Sequence, residues 1–165
     1  MADIDDLMEH PKEQLFEFLE DVRFVMLGSP DQTQHMQPMM PLVDKDAQVV
    51  WFFTHKSSDL LSALATSSSN VVHMCVTEKD YQACVRGELT ETFDQAVVDR
   101  FWNPVIGAWF SGGKKDPALA LLKFAPLHAA IWASDKNPVT FAYEIAKANL
   151  NDELPDIGAR NSTGF

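Results

Sequence analysis

The chain has 165 residues, 46% hydrophobic and 22% charged, which suits one globular domain with a sizeable core. Its net charge of −11, with 13 Lys and Arg spread along the chain, argues against nucleic acid or an anionic membrane as main partner. Neutralising phosphates over a large surface needs clustered cations. No run is long enough to be a membrane helix, and the acidic start "MADIDDLMEH" lacks the basic and apolar parts of a signal peptide, so the cytoplasm is expected.

Residues 11 to 20, "PKEQLFEFLE", predict a helix: Pro11 fits the first helical position, and Leu15, Phe16 and Leu19 share a stripe. "VRFVMLGS" reads as a strand closed by the turn formers of "SPDQTQ". "HMQPMMPLV" contains two prolines and is expected to be an edge or interrupted strand. Residues 48 to 54 form the next strand, after which Ser57 or Ser58 can cap a short helix reaching about Thr66.

"NVVHMCVT" and "YQACVRGELTET" predict two strands joined by a tight turn, with a bulge or close backbone approach at Gly87. A two-residue loop at Lys79 and Asp80 sets Cys75 opposite Cys84, with His73 on the same face. The two thiols suit small apolar packing, and no metal site is expected because further ligands are missing. Asp94 can cap a helix over 95 to 102. Residues 103 to 117 read as loop, 124 to 133 as a strand and 138 to 150 as a last helix. The single domain is expected over 1–150, with 151–165 a polar, mobile tail. Consecutive strands joined by short turns favour an α+β protein on an antiparallel β-barrel of about six strands.

The junction "WFFTHKSSDLL" is the most suggestive stretch. A helix N-terminus leaves N–H groups free for a phosphate; Ser57 and Ser58 add donors and Lys56 adds charge. The alternative is a plain serine cap with Lys56 in water, a reading that Asp59 supports. There is no nucleophile elbow, P-loop or dinucleotide fingerprint, and the five histidines lack metal-ligand spacing. Trp109 and Phe110 lie in a Gly- and Pro-rich stretch, where rings that large need a surface: the core, a second subunit or a flat ligand.

The stretches "QPMMPLVDKDAQVVWFFTHKSS", "YQACVRGELTETFD", "FWNPVIGAWFSGGKKDPALALLKFAP" and "AAIW" together resemble the pyridoxamine 5′-phosphate oxidase-like flavin proteins, in the general stress protein 26 branch. That resemblance implies a six-stranded split β-barrel, an FMN-binding homodimer with the cofactor at the subunit interface, and FMN rather than FAD or a deazaflavin. It implies that Gln37, Pro38 and Met39 run beside the flavin ring and phosphate. It also implies that Phe53, Thr54 and Ser58 hold the ring edge and phosphate, with Lys56 and Ser57 beside them. Gln82 corresponds to a ring contact, and Trp109 to a loop tryptophan approaching the cofactor from the other subunit. Gln37 and Asp59 stand where relatives often carry cations, and "NDELPDIGARNSTGF" lacks the substrate residues of true oxidases, so vitamin B6 oxidation is not expected. The function implied is a flavin-binding stress-type protein, with NAD(P)H-dependent reductase activity as one form. A non-enzymatic module that sequesters flavin or another planar anion is the alternative.

Overall fold

The computed structural model describes residues 2–30, 34–134, 138–151 and 157–165. Two short helices, α1 (Ile4–Glu9) and α2 (Pro11–Asp21), lead into β1 (Val25–Gly28), β2 (Gln37–Met39), β3 (Leu42–Asp44) and β4 (Val49–His55). Helix α3 (Asp59–Thr66) precedes the hairpin of β5 (Val71–Thr77) and β6 (Tyr81–Thr92). Helices α4 (Gln95–Phe101) and α5 (Pro104–Gly107) and a 3-10 turn at Gly113–Lys115 come before the long strand β7 (Leu119–Ser134). Helix α6 (Pro138–Asn151) and strand β8 (Gly158–Gly164) follow.

All strand pairs are antiparallel, in the order β2-β1-β5-β6-β7-β4-β3, with β8 added to β7. The two ends of that path, β2 and β3, are halves of one segment separated by Met40 and Pro41. Laid flat, seven strands would set the ends roughly 29 Å apart, whereas three Cα steps from Met39 to Leu42 span at most about 11 Å. The sheet must therefore roll up until its edges meet. Pro41 has no N–H to give a ladder, so the segment changes partner there, from β1 to β4. Counting the split segment once gives the six strands of the expected barrel, and β8 is additional.

Alternation sets the faces. On β5 and β6, Val72, Met74, Val76, Ala83 and Val85 turn inward, fully or almost fully buried. They meet Phe52, Leu122 and Phe124 from the far side, with Leu15, Phe16 and Leu19 of α2 and Leu7 of α1. Burying each such side chain contributes about 1.5–3 kcal/mol. Strand β4 is buried on both faces, which accounts for the unbroken apolar run "VVWFF". Val50 and Phe52 enter the barrel, while Val49 and Trp51 pack outside it against Val98, Ile106 and Phe110. Gly87 is required by close packing: a Cβ there would lie 2.5 Å from the Phe124 ring and 2.6 Å from the Ala125 carbonyl oxygen. The β6–β7 register shifts between Arg86 and Gly87, as expected of a bulge.

Four segments differ from the sequence reading. Residues 103 to 117, expected as loop, hold α5 and the 3-10 turn, because Asn103 caps the first of these. Asp3 caps α1 by accepting from the Asp6 N–H, so a helix precedes the expected first one. Strand β7 starts at Leu119 rather than 124, because β4 and β6 already offer edges on either side of it. Residues Gly158–Gly164, expected to be a mobile tail, form β8 beside the second half of β7. That strand is fixed by the Asn161 side chain, which donates to the Leu7 carbonyl at 2.8 Å, and by Phe165 edge-on to Phe16. Among the described residues no helix is long and apolar enough to cross a membrane.

Candidate functional site

Barrel closure brings three distant pieces of chain to one place. The β1–β2 ladder pairs Val25 with Met39, so Arg23 and Phe24 come up beside Pro38 and Met40. The outward end of β4 supplies Phe53, Thr54 and His55, and the segment after α5 supplies Trp109 and Phe110. Between them lies a cleft of about 340 Å³ with a mainly apolar lining.

The third wall is built by local capping. The Asn103 side chain accepts from the Val105 and Ile106 N–H groups at 2.9 and 3.0 Å, and Pro104 occupies the first turn of α5. The "WNP" triplet therefore starts a one-turn helix that buries Ile106 and Phe110 and leaves Trp109 on the rim, 72% exposed. Trp102 packs edge-on against Phe53 at 5.9 Å, and Phe110 lies over His55 at 4.6 Å. These rings form a rigid aromatic wall.

Beyond the wall, Asp116 fixes the loop into β7. Its carboxylate accepts from the Gly112 N–H at 2.8 Å and the Ala118 N–H at 2.9 Å. Those two hydrogen bonds hold its carboxyl below the usual carboxylate range, with a smaller contribution from nearby His55. Lys114 bonds to Asp99 of α4 at 2.7 Å, and Arg100 of α4 reaches Asp44 of β3 at 2.8 Å. The Trp109 segment is thus anchored from both sides.

Of the residues expected at a cofactor site, Pro38, Met39, Phe53, Thr54 and Trp109 line this cleft together. Gln37 neighbours it on β2, paired with Leu27, and is not among its lining residues. Lys56 turns away into a second cleft of about 280 Å³, beside Lys114, Lys115 and Asp116. Ser57 is exposed. Ser58 is the N-cap of α3, its hydroxyl oxygen accepting from the Leu61 N–H at 3.4 Å. Gln82 sits on the outer face of β6 opposite Trp132 and donates to the Glu78 carbonyl at 2.6 Å, outside the cleft.

Arg23, Met40 and His55 also line the cleft, and the sequence reading did not select them. His55 was accessible in principle, because strand alternation places it on the face of Phe53. Arg23 carried no local signal, since its position depends on the pairing of β1 with β2. Among the described residues, no cluster of three or more His, Cys, Asp or Glu could hold a metal ion.

A flat, largely apolar ring with a charged substituent fits this donor set: aromatic walls, Thr54 and His55 as polar points, and Arg23 as a cation. The volume lies at the low end of the roughly 300–1,000 Å³ typical of small-molecule sites.

The family profile described as "Pyridoxamine 5′-phosphate oxidase like" matches residues 10–156. A Jannaschia sp. CCS1 structure named for general stress protein 26 is 36% identical, covers 96% of this chain and 100% of its own, and superposes with a TM-score of 0.78. The general stress FMN/FAD binding protein from Xanthomonas citri is 35% identical over 78% of this chain and 92% of its own, at a TM-score of 0.70. General stress protein 26 from Bacillus anthracis shares the fold at 20% identity, over 74% of this chain and 93% of its own, with a TM-score of 0.64. No curated protein matches the sequence significantly. With this agreement along most of its length, the chain belongs to the pyridoxamine 5′-phosphate oxidase-like split-barrel family, in the general stress protein branch.

Proposed function

We propose that the protein binds FMN in the Trp109 cleft, as a homodimer in which a second copy completes the site. The observation that carries the reading is the cleft itself, where five positions expected from the resemblance converge from two strands and one loop. The name of the Xanthomonas citri relative, a FMN/FAD binding protein, supports the ligand class. Trp109, 72% exposed, lies at the cleft mouth, where it can stack on a ring. Phe53 and His55 line the floor, backed by Trp102 and Phe110. Arg23 supplies the positive charge that Gln37 does not, and it stands in for Lys56, which lines the other cleft. On the outer face of the sheet, Gln82 would reach flavin only from the partner copy.

Bound flavin would supply hydride and electron transfer, with a reduced nicotinamide as the donor class. The chain's own residues bind and orient it. Arg23, Thr54 and His55 are the polar side chains of the lining, and no carboxylate is among them. That composition also favours a second reading, in which the dimer sequesters flavin without turnover.

Titration with FMN and riboflavin, followed by flavin fluorescence, tests the proposal. One FMN per chain is expected, with Arg23→Ala weakening FMN more than riboflavin. Trp109→Ala should weaken both alike by about threefold to tenfold, the worth of one aromatic contact. No binding of either ligand at millimolar concentration would sink the flavin reading. Sedimentation should give twice the 18.5 kDa chain mass, and a monomer that still binds FMN fully would remove the partner's role. Nicotinamide oxidation no faster than with free FMN would leave sequestration as the function.

A further inference from the structure

Helices α1 and α2 enclose a groove that the flavin reading does not use. It has a volume of about 310 Å³ and is lined by Asp3, Asp6, Gln14, Glu17, Phe18 and Asp21. On α2 the lining residues recur at i, i+3, i+4 and i+7, one stripe of the helix, while Leu15, Phe16 and Leu19 face the core. The groove shares no lining residue with the Trp109 cleft. It also lies away from the face given to the partner copy. Phe18 stacks at 3.8 Å on Tyr81, which points to the opposite side of β6 from Gln82.

Two features set it apart from a solvated row of acids. Gln14 is only 3% exposed, and its Nε2 donates to the Asp3 carbonyl at 2.8 Å and to the Asp6 carboxylate at 3.1 Å. Both amide protons are thereby spent on other groove residues. Its Oε1 is left buried, with no partner among the described residues. A buried acceptor without a donor is costly, and one N–H arriving from a ligand satisfies it. The second feature is the charge. None of the lining residues is a cation, and Lys45, whose ammonium feels Glu17 and Asp21, is committed to Glu20 at 2.7 Å outside the lining. The carboxylates and the orphaned carbonyl oxygen therefore project an unbalanced negative potential into the groove.

We infer that the groove between α1 and α2 binds an aliphatic polyamine, with ammonium groups on its carboxylates and one N–H donated to Gln14 Oε1. The spacing selects an extended cation over a point charge. Among the described residues, no three His, Cys, Asp or Glu are close enough to hold one metal ion. Gln14 and Asp21 are two turns apart on α2, about 10 Å along the axis. A chain of ammonium groups separated by methylenes meets successive acids over that length. Phe18 lies between them with one ring face backed by Tyr81, and it offers the methylenes an apolar surface and the ammonium groups a cation–π contact.

Exposed ion pairs are weak singly, so the affinity comes from several acting together and falls with added salt. A ligand that touches Asp3 and Asp6 on one side and Glu17 and Asp21 on the other ties α1 to α2. Binding only the folded chain, it raises the thermal midpoint. The site does not depend on flavin binding.

Calorimetric titration of the full-length protein with spermidine, and separately with magnesium, at low ionic strength tests the inference. Spermidine should bind at one site per chain with a Kd below about 1 mM, about tenfold or more tighter than magnesium. Glu17→Gln combined with Asp21→Asn, both exposed, should weaken spermidine about tenfold. Glu88→Gln combined with Glu91→Gln makes the same charge change at the far end of β6 from Tyr81 and should stay within about twofold of wild type. Gln14→Met removes the buried acceptor at similar size and should weaken spermidine by about threefold or more. Equal weakening by the two charge pairs, or magnesium matching spermidine, would overturn the inference, because attraction to the acidic surface would then be diffuse. A lysine tetrapeptide binding about tenfold more tightly than spermine would also overturn it, since the groove would then fit a protein chain. The same samples, titrated with FMN, show separately whether flavin binding holds.

Discussion

The inner and outer faces of the same sheet follow different rules. Inside, Val72, Met74, Val85, Leu122 and Phe124 are fully buried or nearly so, and even a hydrogen atom's worth of space at Gly87 is committed. Outside, Phe24, Met26 and Trp132 stay substantially exposed beside two free thiols, while only the β4–β7 end is covered by α4 and α5. Stability is concentrated on one face, and the candidate chemistry on the other.

Substitutions on each face can break or sharpen that contrast. Phe124→Ala empties the centre of the inner face and is expected to cost about 3–5 kcal/mol, read from urea unfolding. Gly87→Ala forces a Cβ against the Phe124 ring and the Ala125 carbonyl oxygen. A cost of about 1–3 kcal/mol or more is expected, because the carbonyl belongs to backbone and cannot rotate away. Unchanged stability in either variant would end the distinction.

Smaller effects are expected outside. Asp116→Asn removes a charged acceptor from the loop that anchors Trp109, so its thermal midpoint should fall below wild type at neutral pH. The folded-state carboxyl lies below its ordinary value, so its contribution is present above about pH 4 and is lost as pH falls through the lower folded value. The two midpoints should converge in acid, and a constant gap would contradict that origin. Met26→Ser, on the open part of the outer face, should stay within about 0.5 kcal/mol of wild type. A larger loss would show that a partner covers Met26 in solution.

Much of this organisation was legible beforehand where local chemistry decides. The Cys75–Cys84 register followed from a two-residue turn, the bulge or close approach at Gly87 from a glycine in a β run, and the caps at Ser57 or Ser58 (it is Ser58) and at Asp94 from their position before apolar stripes. Legibility failed where long-range pairing decides. "GARNSTG" has no apolar alternation, and it becomes a strand because β7 offers an edge and Asn161 and Phe165 hold it there. At the candidate site, Phe53 and Thr54 were expected from the family resemblance, whereas Lys56, expected beside them, lines the second cleft. Period-2 reasoning stops where the strand stops. Arg23 entered the cleft only through barrel closure.

Strand β8 protects the protein from its own sheet. The free side of β7 is shared between β4, which pairs up to Phe124, and β8, which pairs from His128 to Ser134. A chain stopped at residue 150 would leave a row of unpaired N–H and C=O groups along "HAAIWAS", an apolar template for another copy. The replacement edge that β8 presents is short, with Arg160, Asn161, Ser162 and Thr163 along it. The last strand therefore acts as a cap against polymerisation, exchanging a sticky border for a hydrophilic one.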